Sequence, residues 1–323
     1  MKKMVPIIVM FILITLSLGD MVQIYARADS NYDSELDIVK NQFLLQSAEI
    51  SDIGMQAAKD TLLRAFFENI TEADVVRAIN DAMTENGSSE YVEAFGVIVA
   101  SGEQSALPHG DTSDDETNQI LLGEVVVVDL GARYRGYCTD LTRTFFIGNA
   151  TEEMMEIYNI TMEAQEAAFE AVSAGAIGSE VDKAARDVIS DYGYGENFIH
   201  GLGHGIGLYI HMYPLLDPSS NHILFESGDM ALTIEPGIYL EEKFGVRIED
   251  DVFVLRTDHE MLTFFPKGIE EAILIPENLT NKTDDIESKS EDEDQSGNYL
   301  AALGILIVLV AIGIIVYRSR KRK

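Results

Sequence analysis

The chain has 323 residues, and 23 lysines and arginines stand against 55 aspartates and glutamates, for a formal net charge of -32. This balance excludes a nucleic-acid-binding protein, because such a protein must neutralise phosphates with basic side chains. It suits a highly solvated surface. The single cysteine, Cys138, excludes a framework of internal disulfides.

The N-terminus has the pattern of a secretory signal peptide. Two lysines precede an apolar segment at 5–18, and the small-x-small sequence at 26–28 offers a cleavage site. We therefore predict a signal peptide over residues 1–28, with an uncleaved anchor as the alternative.

The C-terminus has the pattern of a membrane anchor. Residues 282–298 are rich in Asp, Glu and Ser, which predicts a disordered acidic spacer. Residues 299–317 are almost uninterrupted apolar sequence, long enough to cross a bilayer, and the basic tail 318–323 follows. By the positive-inside rule the tail is cytoplasmic, so we expect a single-pass protein of the cell membrane with its body outside.

The body between these termini alternates helical and strand-like patterns. Helical spacing occurs at 34–67, 71–83, 152–173 and 181–191, and Thr71 with Asp74 resembles a capping box. Strand patterns occur at 94–100, 125–128, 137–147, 230–234, 245–248 and 252–255. This order predicts a mixed α/β (α+β) domain in two halves, with helices outside a curved sheet.

Two aspartates in the first half indicate a metal site. Asp129 ends the apolar run 125–128, and Asp140 lies within the next extended run. Buried carboxylates are costly unless they are paired or bound to a metal, and two on adjacent strands would repel each other. A cation between them removes both problems, so we expect further ligands from later segments.

Histidines in the second half are candidates for those ligands. His200, His204 and His211 all fall within the sequence HGLGHGIGLYIH, in a chain with six histidines. Imidazole is the commonest nitrogen ligand for transition metals. A lone histidine is more often a satisfied core residue, and the argument therefore depends on the three together.

Acids at two further strand ends complete the set. Glu235 follows the run 230–234, and Glu249 shares one strand face with Arg247. Arg247 is well placed to hold a metal-binding carboxylate from behind. Asp250 and Asp251 adjoin Glu249, and spacing alone does not decide which of the three acids binds.

Together these segments resemble the pita-bread metallopeptidases, the group that contains methionine aminopeptidase, aminopeptidase P and prolidase. The resemblance spans about residues 35–275, and the sequences TDLTRTF, LPHG and LTFFPKG look like the Xaa-Pro aminopeptidase and prolidase branch. It implies a pita-bread metallopeptidase domain over 29–281. It also implies five metal ligands, which are Asp129, Asp140, His204, Glu235 and Glu249.

The resemblance further implies two divalent metal ions per chain, with Mn²⁺ favoured over Co²⁺, Fe²⁺ and Zn²⁺ for a mostly oxygen-donor site. It casts Glu235 as the general base as well as a ligand. His109 and His211 are expected to act in catalysis and to contact the substrate, and His200 is a weaker candidate for substrate contact. Besides the peptide substrate, the expected partners are the membrane and a second copy of the chain as a homodimer.

The resulting hypothesis is a membrane-anchored extracellular exopeptidase that removes the N-terminal residue from Xaa-Pro peptides or Xaa-Pro dipeptides. One alternative is a broad or methionine-type aminopeptidase. The other is a surface binding protein that has the same fold without turnover.

Overall fold

The structure, a computed structural model, describes residues 40–89, 94–110, 118–224, 230–256 and 258–276. The chain divides into two compact units, Met1–Leu274 and Ile275–Lys323, and the elements below belong to the first. The predicted signal peptide, acidic spacer and basic tail lie outside the described residues, so these domain boundaries stay predictions.

The first half packs two helices on a four-stranded sheet. Helices α1 (Leu45–Leu63) and α2 (Glu72–Glu85) cover strands β1 (Ile98–Ser101), β2 (Val125–Leu130) and β5 (Leu141–Ile147), in a sheet completed by β13 (Ile273–Leu274). β13 runs parallel to β5, and the other pairs are antiparallel. The predicted capping box is confirmed: Thr71 Oγ1 accepts from the Asp74 N–H, and the Asp74 carboxylate accepts from the Thr71 N–H.

The second half repeats this arrangement. Helices α3 (Glu152–Ala171) and α4 (Gly178–Asp191) share a core with the antiparallel sheet β12-β11-β8-β6-β7. The strands of that sheet are β6 (Gly203–Ile206), β7 (Met212–Leu216), β8 (Met230–Ile234), β11 (Asp250–Val254) and β12 (His259–Met261). A hairpin of β9 (Gly237–Leu240) and β10 (Phe244–Arg247) also packs into this core, and the short helix α5 (Ile269–Ala272) precedes β13. The predicted mixed α/β fold in two halves is confirmed.

The central strand β2 shows why its sequence is apolar throughout. Val126 and Val128 face the core under α1 and α2, whereas Val125 faces the other core, under α3. Alternate side chains of a strand point to opposite faces, so a strand covered on both sides needs apolar residues at every position. This apolar run ends at Asp129, which lies next to the strand end and belongs to the candidate site described below.

The predicted run 137–147 is interrupted. It divides into β4 (Tyr137–Cys138), which pairs with β3 (Arg133–Tyr134), and β5, so Asp140 lies between two strands. Gly131 marks the crossing that causes the break, because a Cβ there would lie 2.3 Å from the carbonyl oxygen of Thr139. The two chain segments approach too closely for any larger residue.

The prediction of a single-pass membrane protein with an extracellular catalytic domain is wrong. Among the residues that the structure describes, no helix is both long and apolar enough to cross a bilayer. Helix α3, for example, has sufficient length but carries exposed glutamates such as Glu156, Glu166 and Glu170. Residues 299–317, on which the prediction rested, lie outside the described residues.

Candidate metal centre

Asp129 reaches the site from β2 and is held there by an arginine. In the antiparallel pairing of β2 with β5 it stands opposite Thr142. Arg247, at the end of β10, donates from Nη2 to Asp129 Oδ2 at 2.6 Å. Both side chains are almost fully buried, so this is an ion pair shielded from solvent. The predicted position of Arg247 behind a carboxylate agrees with this geometry.

Asp140 precedes β5 and is anchored through its backbone. Its N–H donates to Asp251 Oδ2 at 2.9 Å, across 111 residues of sequence. Asp251 is fully buried and thereby fixes the start of β5. The carboxylate of Asp140 is left free to turn toward Asp129.

Glu249 joins them from the link between β10 and β11. Thr142 Oγ1 donates to Glu249 Oε2 at 2.7 Å, and the Glu249 N–H donates to the Thr142 carbonyl oxygen at 3.1 Å. Arg143 holds the same residue from the other side, because its Nη1 donates to the Glu249 carbonyl oxygen at 2.6 Å. Neighbouring residues of β5 therefore fix both the side chain and the backbone of Glu249.

These three carboxylates converge on one point. Each of Asp129, Asp140 and Glu249 offers an oxygen within 4.8 Å of those of the other two. Each also has one buried oxygen without a hydrogen-bond partner among the described residues: Asp129 Oδ1, Asp140 Oδ1 and Glu249 Oε1. Buried polar atoms normally have partners, and acceptor oxygens aimed at one another do not satisfy each other. A divalent cation provides what these oxygens lack, and the donor set fits one.

The pKa shifts of these carboxylates also indicate a cation site. Burial, reinforced by the charges of Glu249 and Asp129, raises the pKa of Asp140 well above its ordinary value. Burial also raises the pKa of Glu249, with Glu235 and Asp129 as the next causes. Such shifts arise where like charges crowd together out of water. A cation bound among these carboxylates would lower their pKa values again.

His204 and Glu235 lie next to the three carboxylates. His204 Nε2 lies 3.8 Å from Asp140 Oδ2 and 3.6 Å from Glu235 Oε1. His204 Nδ1 lies 3.1 Å from the carbonyl oxygen of Gly205, to which it donates in its Nδ1–H tautomer. Burial lowers the pKa of His204 to about 4, so the ring is neutral and the Nε2 lone pair faces the carboxylates. A lone pair beside ionised carboxylates is an arrangement that suits ligands of a shared cation.

Two glycines explain how His204 reaches this position on β6. A Cβ at Gly203 would lie 2.1 Å from the carbonyl oxygen of Thr233, and a Cβ at Gly205 would lie 2.5 Å from that of Tyr213. The strands on both sides of β6 therefore approach its backbone closely. The glycines on either side of His204 are therefore required by the packing of neighbouring strands.

Burial also changes the pKa of Glu235. It raises the pKa of this carboxyl to about 8, although the charge of Arg247 acts in the opposite direction. The Glu235 N–H donates to the carbonyl oxygen of Leu202 at 2.8 Å, which joins the end of β8 to the segment before β6. The chain thus brings Glu235 next to His204 from an adjacent strand.

His200 contacts protein groups through both ring nitrogens. Nδ1 lies 2.7 Å from the carbonyl oxygen of Gly201 and donates to it, and Nε2 lies 2.9 Å from Tyr239 Oη. Arg247 Nη1 donates to the same tyrosine oxygen at 3.0 Å. Hydrogen bonds therefore run from Arg247 to Tyr239 to His200. His200 lines the cavity, but its polar atoms are occupied, so its expected substrate contact stays a prediction that this geometry does not favour.

His109 and His211 border the cavity beside the cluster. The cavity has a volume of about 680 Å³, and both histidines line it together with the five predicted ligands. The His211 ring packs edge-to-face on His204 with 4.5 Å between ring centroids. His109 follows Pro108, whose carbonyl oxygen accepts from Arg247 Nη1 at 2.7 Å. The loop that carries His109 is therefore fixed to the same arginine that holds Asp129.

The structure also distinguishes the three adjacent acids at 249–251. Asp250 turns away from the cluster and pairs with Arg143 Nη2 and Lys267 Nζ, both at 2.7 Å. Burial alone would raise the pKa of Asp250, but the charges of Arg143 and Lys267 lower it. Asp251 supports Asp140 through the backbone, as described above. Glu249 alone of the three contributes an oxygen to the cluster.

Sequence reasoning missed Thr142, Arg143 and Tyr239. The alternation of β5 could have indicated Thr142, because a residue two positions after Asp140 points to the same side of an extended chain. No comparable signal exists for Arg143 or Tyr239. Their partners lie on strands whose pairing the sequence does not reveal.

Comparison with known proteins identifies the family. Metallopeptidase family M24 matches residues 42–256. The Xaa-Pro dipeptidase of Pyrococcus furiosus is 41% identical over 233 residues, which are 70% of this chain and 65% of that protein. The chain therefore spans slightly less than two thirds of the length of this relative.

Solved structures agree with the sequence matches. The Xaa-Pro dipeptidase from Bacillus anthracis is 40% identical with a TM-score of 0.64, over 71% of this chain and 61% of that one. The X-Pro aminopeptidase from Thermotoga maritima MSB8 is 34% identical with a TM-score of 0.66, over 81% and 73%. The predicted pita-bread fold is thereby confirmed. By its match over residues 42–256 and by these identities, the chain belongs to metallopeptidase family M24.

Proposed function

We propose that this protein is a metal-dependent exopeptidase that cleaves the bond between an N-terminal residue and a following proline. The observation that carries the proposal is the convergence of three buried carboxylates, each with an unpaired oxygen, beside the neutral ring of His204. Relatives described as Xaa-Pro dipeptidases and an X-Pro aminopeptidase support the proline preference.

Five residues would hold the metal in this proposal. Four are carboxylates and one is an imidazole, a donor set that suits two divalent cations and favours Mn²⁺. When bound, such ions polarise a carbonyl group and lower the pKa of a water molecule. The ligands are Asp129, Asp140, His204, Glu235 and Glu249.

The remaining roles follow from position. Glu235 borders the cavity with a partly exposed carboxylate, and it is the ligand we assign as the base that accepts the proton of the attacking water. His109 and His211 are the histidines whose hydrogen-bonding groups can turn toward a substrate carbonyl oxygen. Arg247 holds Asp129 and the Pro108 carbonyl oxygen in place. A homodimer stays a prediction.

The test is a set of peptides assayed with the full chain. The protein is stripped with a chelator, reloaded with MnCl₂, and assayed on Ala-Pro-Ala, Ala-Ala-Ala and Met-Ala-Ala. We expect activity to disappear with the chelator and return with Mn²⁺, and Ala-Pro-Ala to be cleaved at least about tenfold faster than the other two peptides, as specific recognition of a side chain allows.

The outcomes separate the hypotheses. Equal cleavage of all three peptides would replace the proposal with a broad aminopeptidase, and preference for Met-Ala-Ala would replace it with a methionine aminopeptidase. Metal binding without cleavage of any peptide would indicate a binding protein on the same fold. The variant Glu235→Gln removes the charge of the proposed base. Its matched control is Glu156→Gln, because Glu156 is exposed on the outer face of α3.

A further inference from the structure

A dipeptide that binds in the cavity beside the cluster brings its terminal carboxylate there as well as its scissile bond. In an Xaa-Pro dipeptide the terminal carboxyl carbon is two bonds beyond the proline nitrogen, about 2.5 Å from it by standard bond lengths. The negative charge of a free dipeptide therefore enters the cavity together with the bond that is cleaved. In a longer peptide, the same position carries a neutral amide.

Apart from the proposed metal ions, whose charge the four ligand carboxylates balance, the cavity offers little to neutralise that charge. Among the described residues that line it, Arg247 is the only arginine, and none is a lysine. The Arg247 side chain is 4% exposed, and it donates to Asp129, to the Pro108 carbonyl oxygen and to Tyr239. Its charge is balanced by Asp129. A dipeptide carboxylate would have to displace one of these partners.

Among the described residues, the cavity wall provides no basic side chain other than Arg247 and the histidines. His109 and His211 are the remaining groups that can donate, and in the proposed function they face the reacting carbonyl oxygen. A free carboxylate would compete with that oxygen for them.

Asp217 adds a negative charge to the cavity wall. It lies beside Gly201, where a Cβ would be 2.9 Å from the Asp217 Cβ. Its Oδ1 accepts from the N–H and the hydroxyl of Ser219, which hold the carboxylate in a fixed turn. The Ser219 hydrogen bonds lower the pKa of Asp217, so the side chain is ionised at neutral pH. Like charges placed together in an interface oppose binding.

The neighbouring wall is apolar. Ile98, Ile210 and Leu215 line the cavity together with the half-buried Phe95. Apolar surface favours the proline ring and the neutral backbone that follows it, and it gives no compensation for desolvating a carboxylate.

We infer that the site is built for peptides of three or more residues, with Asp217 acting as the residue that disfavours free Xaa-Pro dipeptides. This inference rests on the proposed function and names its substrate class. It distinguishes this protein from those relatives that are described as dipeptidases.

The experiment compares three substrates that share one scissile bond. Ala-Pro, Ala-Pro amide and Ala-Pro-Ala are assayed with the Mn²⁺-loaded full chain at one pH, and kcat/KM is measured for each. We expect the amide and the tripeptide to exceed the free dipeptide by about tenfold or more, because the dipeptide carboxylate loses water against an apolar wall and also meets the like charge of Asp217. A ratio below about threefold, or preference for the free dipeptide, would overturn the inference.

A charge-removing variant tests the assigned residue. Asp217→Asn retains the acceptor oxygen for Ser219 and removes the charge, so the ratio of amide to free dipeptide should fall by about two- to fivefold, as for one partly solvated charge pair. Cleavage of Ala-Pro amide, which carries no carboxylate, should change less than cleavage of the free dipeptide. The matched control is Asp258→Asn, whose side chain is 79% exposed and does not line the cavity. An unchanged ratio in Asp217→Asn would overturn the role of Asp217.

This design separates the two proposals. If Ala-Pro-Ala is not preferred over Ala-Ala-Ala, the proposed function fails. If Ala-Pro-Ala is preferred but the free dipeptide is cleaved equally well, the proposed function stands and the substrate-length inference alone fails.

Discussion

Without metal, the protein should lose stability as the pH rises through the neutral range. The reason is that buried carboxyl groups of the cluster hold their protons more tightly in the folded chain than in the unfolded chain. Burial raises the pKa of Glu235 from 4.5 to about 8, and it raises the pKa values of Asp140 and Glu249 in the same direction.

The sign follows from proton linkage. Between pH 4.5 and about 8 the folded state binds more protons than the unfolded state, so the free energy of unfolding falls as the pH increases. At about 1.4 kcal/mol for each pH unit and each such carboxyl group, the loss across this window reaches several kcal/mol. A typical domain has a total stability of about 5–15 kcal/mol, so the effect should be easy to measure.

The assay is thermal unfolding of the full chain in EDTA at pH 5, 6, 7 and 8, repeated with excess MnCl₂. In EDTA the Tm should fall steadily with pH, and Mn²⁺ should remove or reverse that trend, since ligand binding to the folded state adds stability. Glu235→Gln should flatten the EDTA profile, and the exposed Glu156→Gln should not. A Tm in EDTA that is constant or rises from pH 5 to pH 8 would refute the reasoning.

Three further predictions concern single residues. Asp140→Asn removes a ligand charge, so at least one metal ion and the peptidase activity should be lost; two ions per chain with normal turnover would contradict the assignment. His211→Ala should lower kcat by about a hundredfold or more while metal content is unchanged, and His222→Ala, outside the cavity, should not. Thr142→Val removes the hydroxyl that orients a ligand carboxylate, so Mn²⁺ affinity measured by calorimetry should fall about tenfold. The control Thr161→Val, a buried threonine within α3, should leave that affinity unchanged.

The residues alone indicated a cation near Asp129 and Asp140 and gave candidates among the later histidines and acids, and the family resemblance supplied the set of five ligands, which stays a prediction. An apolar run that stops at an acid, as at Asp129 and Glu235, indicates a carboxylate carried to the edge of the core. The structure brings all five predicted ligands to one cavity. The chemistry of isolated residues was sufficient to expect a cation near these acids, because buried acids need a counter-charge wherever they lie.

The boundaries of individual strands were harder to predict. The extended run that carries Asp140 has uniform strand propensity, yet the crossing of Gly131 and Thr139 interrupts it. Propensity describes a segment alone, whereas the interruption depends on a second segment that packs against it. The same limit applies to His200, whose two nitrogens are occupied by partners that are adjacent only in the folded chain.

The support of Glu249 shows most clearly what a sequence does not reveal. Glu249 follows Arg247 by two residues, and the alternation predicted that both share one strand face. Its carboxylate and carbonyl oxygen, however, are held by Thr142 and Arg143, more than a hundred residues earlier. Arg143 is itself fixed by Asp250, the residue directly after Glu249. Glu249 thus faces the candidate metal centre, and Asp250 faces the core. The pairing of β5 with the turn before β11 determines which of these two neighbours has which role.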